Sequence, residues 1–76
     1  MKELVEVIAR ALVDHPEEVT VTEKQEERAL ILELHVASDD MGKVIGKQGR
    51  IAKAIRSVVK AAANKSEQKV IVDIVD

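Results

Sequence analysis

The chain has no cysteine and no aromatic residue. Without cysteine there is no disulfide framework, no thiolate nucleophile and no sulfur ligand, and the expected compartment is the reducing cytoplasm. Without Phe, Tyr or Trp there is no ring on which a base could stack, which removes recognition modules built on aromatic platforms, the RRM and most OB-folds. Long apolar runs are missing too: nothing approaches the ~20 residues of a membrane span. Glu3 and Glu6 interrupt the segment MKELVEVIARAL where a signal peptide would need an apolar stretch, so neither membrane insertion nor export is expected. Glycine is scarce as well, yet two of the three glycines, Gly46 and Gly49, stand within four residues of each other.

What is present suits a small soluble domain. With 46% apolar and 34% charged residues, the 76-residue chain is expected to fold as one domain over residues 1–76. Its core must be small, because a domain of this size buries only ~60% of the surface of its unfolded chain. The net charge of −2 conceals a strong asymmetry. Residues 1–40 carry four lysines and arginines against eleven acidic residues, whereas residues 41–69 carry eight against Glu67 alone. An acidic total therefore coexists with a cationic segment, and that segment contains the paired glycines.

Leu4, Val5, Ile8, Ala9 and Leu12 recur at helical spacing, with Glu3, Glu6, Arg10 and Asp14 largely opposite, which predicts an amphipathic helix over 3–14. Pro16 stops it by disfavouring helical geometry at His15. Val19 and Val21 alternate with Glu18, Thr20 and Thr22, the pattern of a half-buried strand over 18–23. In ALILELHVA, residues 29–37, Leu30, Leu32, Leu34 and Val36 share one face and Ala29, Ile31, Glu33, His35 and Ala37 the other; a run this apolar predicts a central strand. Asp39 and Asp40 read as caps of a short helix over 40–45 that stops at Gly46. A second helix over 50–63 directs Ile51, Ile55, Val58 and Ala62 inward and Arg50, Lys53, Arg56 and Lys60 away. KVIVDIV, residues 69–75, is the last strand, with Val70, Val72 and Ile74 inward. The order is αββααβ. The two middle helices form a crossover long enough for a parallel, right-handed connection. The expected fold is α+β, a three-stranded mixed sheet with its second strand central and three helices on one face.

The segment helix, Gly46-Lys47-Gln48-Gly49, helix has a definite chemistry. Glycine leaves room for a polymer backbone to come close, and the following helix points free N–H groups and the positive end of its dipole at that approach. Lys47 and Arg50 add full charges, Lys53 continues the track one turn on, and Val44, Ile45 and Ile51 offer an apolar wall for unstacked bases. Such a combination suits a flexible single strand. A Walker A loop does not fit, since three residues rather than four separate Gly42 and Gly46 and Gln48 stands where a magnesium-binding Ser or Thr is needed. The dinucleotide-binding pattern also fails for want of a third glycine.

Residues 40–56, DMGKVIGKQGRIAKAIR, resemble the signature of the KH domain, and the element order resembles its type II form. The resemblance spans the chain and is greatest to the small, stand-alone bacterial KH proteins of the KhpA-like family. It implies a non-enzymatic protein that binds single-stranded RNA, about four nucleotides, through Gly46, Lys47, Gln48 and Gly49 and a groove formed by the flanking helices and an adjacent strand. Lys43, Val44, Ile45, Arg50, Ile51 and Lys53 complete the expected interface. The resemblance further implies homodimers, pairing with a larger Jag-type KH protein, and a role as post-transcriptional regulator or RNA chaperone linked to cell division and envelope growth. No segment beyond the last strand is expected to add contacts.

No catalytic constellation competes with this reading. His15 and His35 each lack a companion nucleophile nearby in sequence and are expected at the surface, and neither a metal nor a cofactor is expected. Ile31, Ile71, Val75 and Val59 are read as outward apolar residues, and a dimer contact is expected on the last helix through Val58, Val59 and Ala62. The alternative function is a protein-interaction adaptor in which RNA binding is incidental.

Overall fold

The computed structural model describes residues 1–64 and 68–75. Helix α1 (Lys2–Leu12) leads through a 3-10 turn (Pro16–Glu18) into strands β1 (Thr20–Gln25) and β2 (Ala29–His35). Helix α2 (Ser38–Ala62) follows, and strand β3 (Lys69–Val75) comes last. Strand β2 is central: it pairs antiparallel with β1, from Thr20 opposite His35 to Gln25 opposite Leu30, and parallel with β3, from Ala29 opposite Lys69 to His35 opposite Val75. Mutual backbone bonds between Glu26 and Ala29 close the hairpin. The mixed sheet and its central strand agree with the expectation.

Alternation fixes which face is covered. Val21, Leu32, Leu34 and Val72 point to one side and are buried there with Val5, Ala9, Val44, Ala52, Ile55 and Val59 of the helices. Helix α1 packs on β1, β2 and α2, and α2 packs on β3, so the helices share one face of the sheet. Ile31, Glu33, His35, Ile71, Asp73 and Val75 occupy the other face at intermediate to high exposure.

Four expectations are corrected. The two middle helices form one helical element, so there are two helical elements, the second carrying a four-residue break at 46–49. Strand β1 begins at Thr20 rather than 18, because Pro16, pre-set for a helical turn, starts a 3-10 turn that takes in Glu17 and Glu18 and is closed by the Val19 N–H on the Pro16 carbonyl at 3.2 Å. Strand β2 ends at His35, since residues 36–37 already turn the chain into α2. Finally, the inward stripe of the second arm of α2 is Ala52, Ile55 and Val59, with Val58 and Ala62 exposed. Both stripes, 51-55-58-62 and 52-55-59, have helical spacing and share Ile55. The rotation of the arm after the break decides between them, and it buries Val59 to 1% exposure while leaving Val58 at 42%.

That rotation makes two adjacent valines unequal. Val59→Ala should cost about 2 kcal/mol through lost burial and the cavity left behind, and Val58→Ala should change stability by less than about 0.5 kcal/mol, both measured by urea denaturation.

Candidate nucleic-acid interface

Helix α2 is two arms joined by a non-helical turn. Gly46 is extended (φ −71°, ψ 171°), and Lys47, Gln48 and Gly49 are all left-handed (φ 51°, 63° and 73°). Only Gly49 needs glycine for its backbone. Lys47 and Gln48 have side chains in a region that costs an L-residue roughly 1–2 kcal/mol, which is stored strain of the kind found at functional sites. Gly46 has a conformation open to any residue, and a Cβ added there would meet nothing within 4 Å. Its bare surface is therefore room for something outside the chain, and the expectation that both glycines serve positive φ is met at Gly49 alone.

The turn is held on either side by the core. Val44, one residue before Ile45, is 1% exposed, and Ala52 and Ile55 are buried just beyond, so both arms are anchored within a turn of the break. The first arm has a further anchor. Asp40, itself only 1% exposed, accepts the backbone N–H groups of Asp14 (3.1 Å) and His15 (2.9 Å), twenty-six and twenty-five residues away. This corrects its expected role as the cap of its own helix: α2 begins at Ala37 with no side-chain cap, and the Asp40 N–H is already taken by the Ala37 carbonyl at 2.8 Å. Asp40 instead satisfies the chain leaving α1, where two amides would lack acceptors. Both Asp39 and Asp40 still lie in the first turn of α2, where negative charge complements the helix dipole.

Around the break the side chains divide by role. Gly42, Lys43, Gly46, Lys47, Arg50 and Ile51 line a cleft of about 280 Å³. Lys43 Nζ lies 3.2 Å from Asp14 Oδ1, a solvent-exposed ion pair that adds little to stability and leaves the lysine at the cleft. Lys47, Gln48, Arg50 and Lys53 are exposed, and Lys53 lines no described cleft. Of the expected apolar wall, Ile51 lines the cleft, Ile45 is exposed at 54% outside it, and Val44 faces the core, where it supports the turn. The candidate residues thus converge on one turn, with Val44 beneath it.

A second cleft, about 480 Å³, runs between the second arm of α2 and the edge of β3. Arg56, Lys60 and Lys69 bring cationic groups to it, and Val70, Ile71 and Val72 bring the strand. The Arg56 Nε–H donates to the Val72 carbonyl at 3.2 Å. Neither Arg56 nor Lys60 was among the expected interface residues; the signal available was their place on the cationic flank, and what was missing was the knowledge that this flank faces an open strand edge. Sequence reading also left His15 alone. The 3-10 turn places donor atoms of His15, Glu17 and Glu18 within 4.8 Å of one another, with Asp39 3.8 Å from His15 Nε2, an ion-pairing cluster at the surface.

Comparison with known proteins agrees with this geometry. The family model described as KhpA/KhpB, KH domain, matches residues 2–74. The chain is 67% identical over 75 residues to the RNA-binding protein KhpA of Clostridium perfringens, covering 99% of this chain and 100% of that protein. It is 62% identical over 76 residues to that of Halalkalibacterium halodurans, covering both chains in full. Identity to the protein of the same name from Treponema pallidum is 53% over 75 residues, 99% of this chain and 94% of that one. No solved structure matches significantly.

Two stability measurements check the construction of the turn. Asp40→Ala, which strands two amides, should lose about 1–3 kcal/mol in chemical denaturation, with Asp40→Asn losing less because one acceptor remains. Gly49→Ala should cost about 1 kcal/mol for its positive φ, whereas Gly46→Ala should stay within about 0.5 kcal/mol of the parent.

Proposed function

The chain belongs to the KhpA/KhpB KH-domain family, a non-enzymatic family, and from that premise we propose that it binds single-stranded RNA, about four nucleotides at a time, as one KH unit over residues 1–76. The observation that carries the reading is the open, strained turn at 46–49. It sets a bare glycine, the free N–H groups at the start of a helical arm and the charges of Lys47 and Arg50 on one side of the molecule. The RNA backbone passes over Gly46, Lys47, Gln48 and Gly49 and is held by Lys43, Arg50 and Lys53. Ile45 and Ile51 meet the bases, and Val44 keeps the turn in place. Phosphate contacts supply position and affinity, and base edges supply a weak sequence preference. The names of the relatives, all RNA-binding proteins, support the same reading.

A module of this kind acts by holding RNA, as a cytoplasmic post-transcriptional regulator or RNA chaperone, with the link to cell division and envelope growth following from the family resemblance. No described helix is long and apolar enough to cross a membrane. The outer side of α2 supports a homodimer, or pairing with a larger Jag-type KH protein. Val58 is 42% exposed there beside the exposed Ala54, Ala61 and Ala62, and Val59 takes no part because it is in the core. The same apolar strip favours the second reading, an adaptor whose main work is protein pairing.

Replacing Lys47 and Gln48 together by aspartate puts negative charge where phosphate should sit and leaves glycines and core untouched. RNA affinity should collapse while circular dichroism and sedimentation stay unchanged; undiminished affinity would favour the adaptor. For the parent protein, the log of the affinity should fall against the log of the salt concentration with a slope of about −0.7 per neutralised phosphate, and a flat response would count against phosphate contact.

A further inference from the structure

Strand β3 is an edge strand, and its hydrogen-bonding parity can be read directly. The Lys69 N–H donates to the Arg28 carbonyl at 3.2 Å, one residue before its Cα partner Ala29. In a parallel pair this places Lys69, Ile71, Asp73 and Val75 in the ladder with β2, and turns the backbone N–H and C=O groups of Val70, Val72 and Ile74 to the open edge. The Arg56 contact agrees, since it reaches the Val72 carbonyl from the cleft side. A free edge would present at Val72 one donor and one acceptor side by side. Here the acceptor is occupied by a guanidinium, and among the described residues Arg56 makes no other recorded hydrogen bond or ion pair. The wall of the cleft at this point therefore offers donors: the Val72 N–H and the remaining guanidinium N–H groups.

We propose that Arg56 is a specificity-determining residue that turns the β3 edge into a reader of keto bases, favouring uracil and guanine over cytosine and adenine at the nucleotide that enters this cleft. A keto oxygen accepts from the donors gathered there. An exocyclic amine meets donors only and leaves its own N–H groups unpaired in a partly desolvated cleft, which is where discrimination arises. The cleft, about 480 Å³, falls within the range of about 300–1,000 Å³ that holds small ligands. Because the Val72 side chain is 5% exposed and packed in the core, its backbone is fixed while it reads. The inference rests on the RNA-binding reading above.

Fluorescence anisotropy with labelled oligouridylate and oligocytidylate of equal length, at one low salt concentration, tests it. The two bases are of equal size and differ at the atoms in question. The parent protein should bind the uridylate about five- to tenfold more tightly. Arg56→Ala should bring the ratio to about one or invert it, because the freed Val72 carbonyl can then accept from an amine. Arg56→Lys, which keeps the charge without the planar fork, should hold overall affinity near the parent value while lowering the ratio. Equal binding of the two oligomers by the parent, or an Arg56→Ala loss that leaves the ratio unchanged, overturns this inference alone. A parent protein that binds neither overturns the RNA-binding reading itself, and this inference with it.

Discussion

The carboxylate of Asp40 is the contact on which the candidate interface depends. It sits at the start of α2 and holds the two amides that leave α1, so the entrance of one helix and the exit of the other are joined at a buried point. A buried charge is tolerable only when its lone pairs are matched, and here two main-chain donors match them. Main-chain donors have no rotamers, so the joint is stiff. The first arm of α2 is thereby aimed, and the glycine turn at its far end inherits that aim.

Stiffness on both sides lets the turn keep an unfavourable conformation. Two consecutive non-glycine residues in left-handed geometry persist only where the surroundings over-determine them. Val44 before the turn, and Ala52 and Ile55 after it, belong to one core with Leu32 and Leu34 of the central strand. The apolar layer thus does more than stabilise the fold. It forces Lys47 and Gln48 outward as a rigid knuckle with little ordering left to lose when a ligand arrives, which is the advantage of preorganisation.

Much of this was legible in the sequence, for physical reasons that differ from element to element. The strands announce themselves by alternation, and the central position of β2 by its two apolar faces. The long helical region with its interruption follows from the glycine pair between two amphipathic stretches. What was not legible depends on orientation or on distant contact. Asp40 stands where a helix cap would stand, and nothing local says that its carboxylate reaches back to Asp14 and His15. Val58 and Val59 are interchangeable by spacing until the rotation after the break is known. Lys47 and Gln48 carry no hint of positive φ, since lysine and glutamine are not among the residues enriched there. Arg56 reads as one more charge on a helix until β3 is seen to be an open edge.

The parallel pairing of β3 with β2 also has a consequence in time. The β1–β2 hairpin can close as soon as His35 has been made, whereas β3 is almost the last segment to leave the ribosome and must find its partner across the whole of α2. Non-local closure of this kind is the slow part of forming a small sheet. Until it happens, the core lacks Val72 and the cleft beside Arg56 lacks one wall, so the part of the molecule that reads the ligand is the last part to exist.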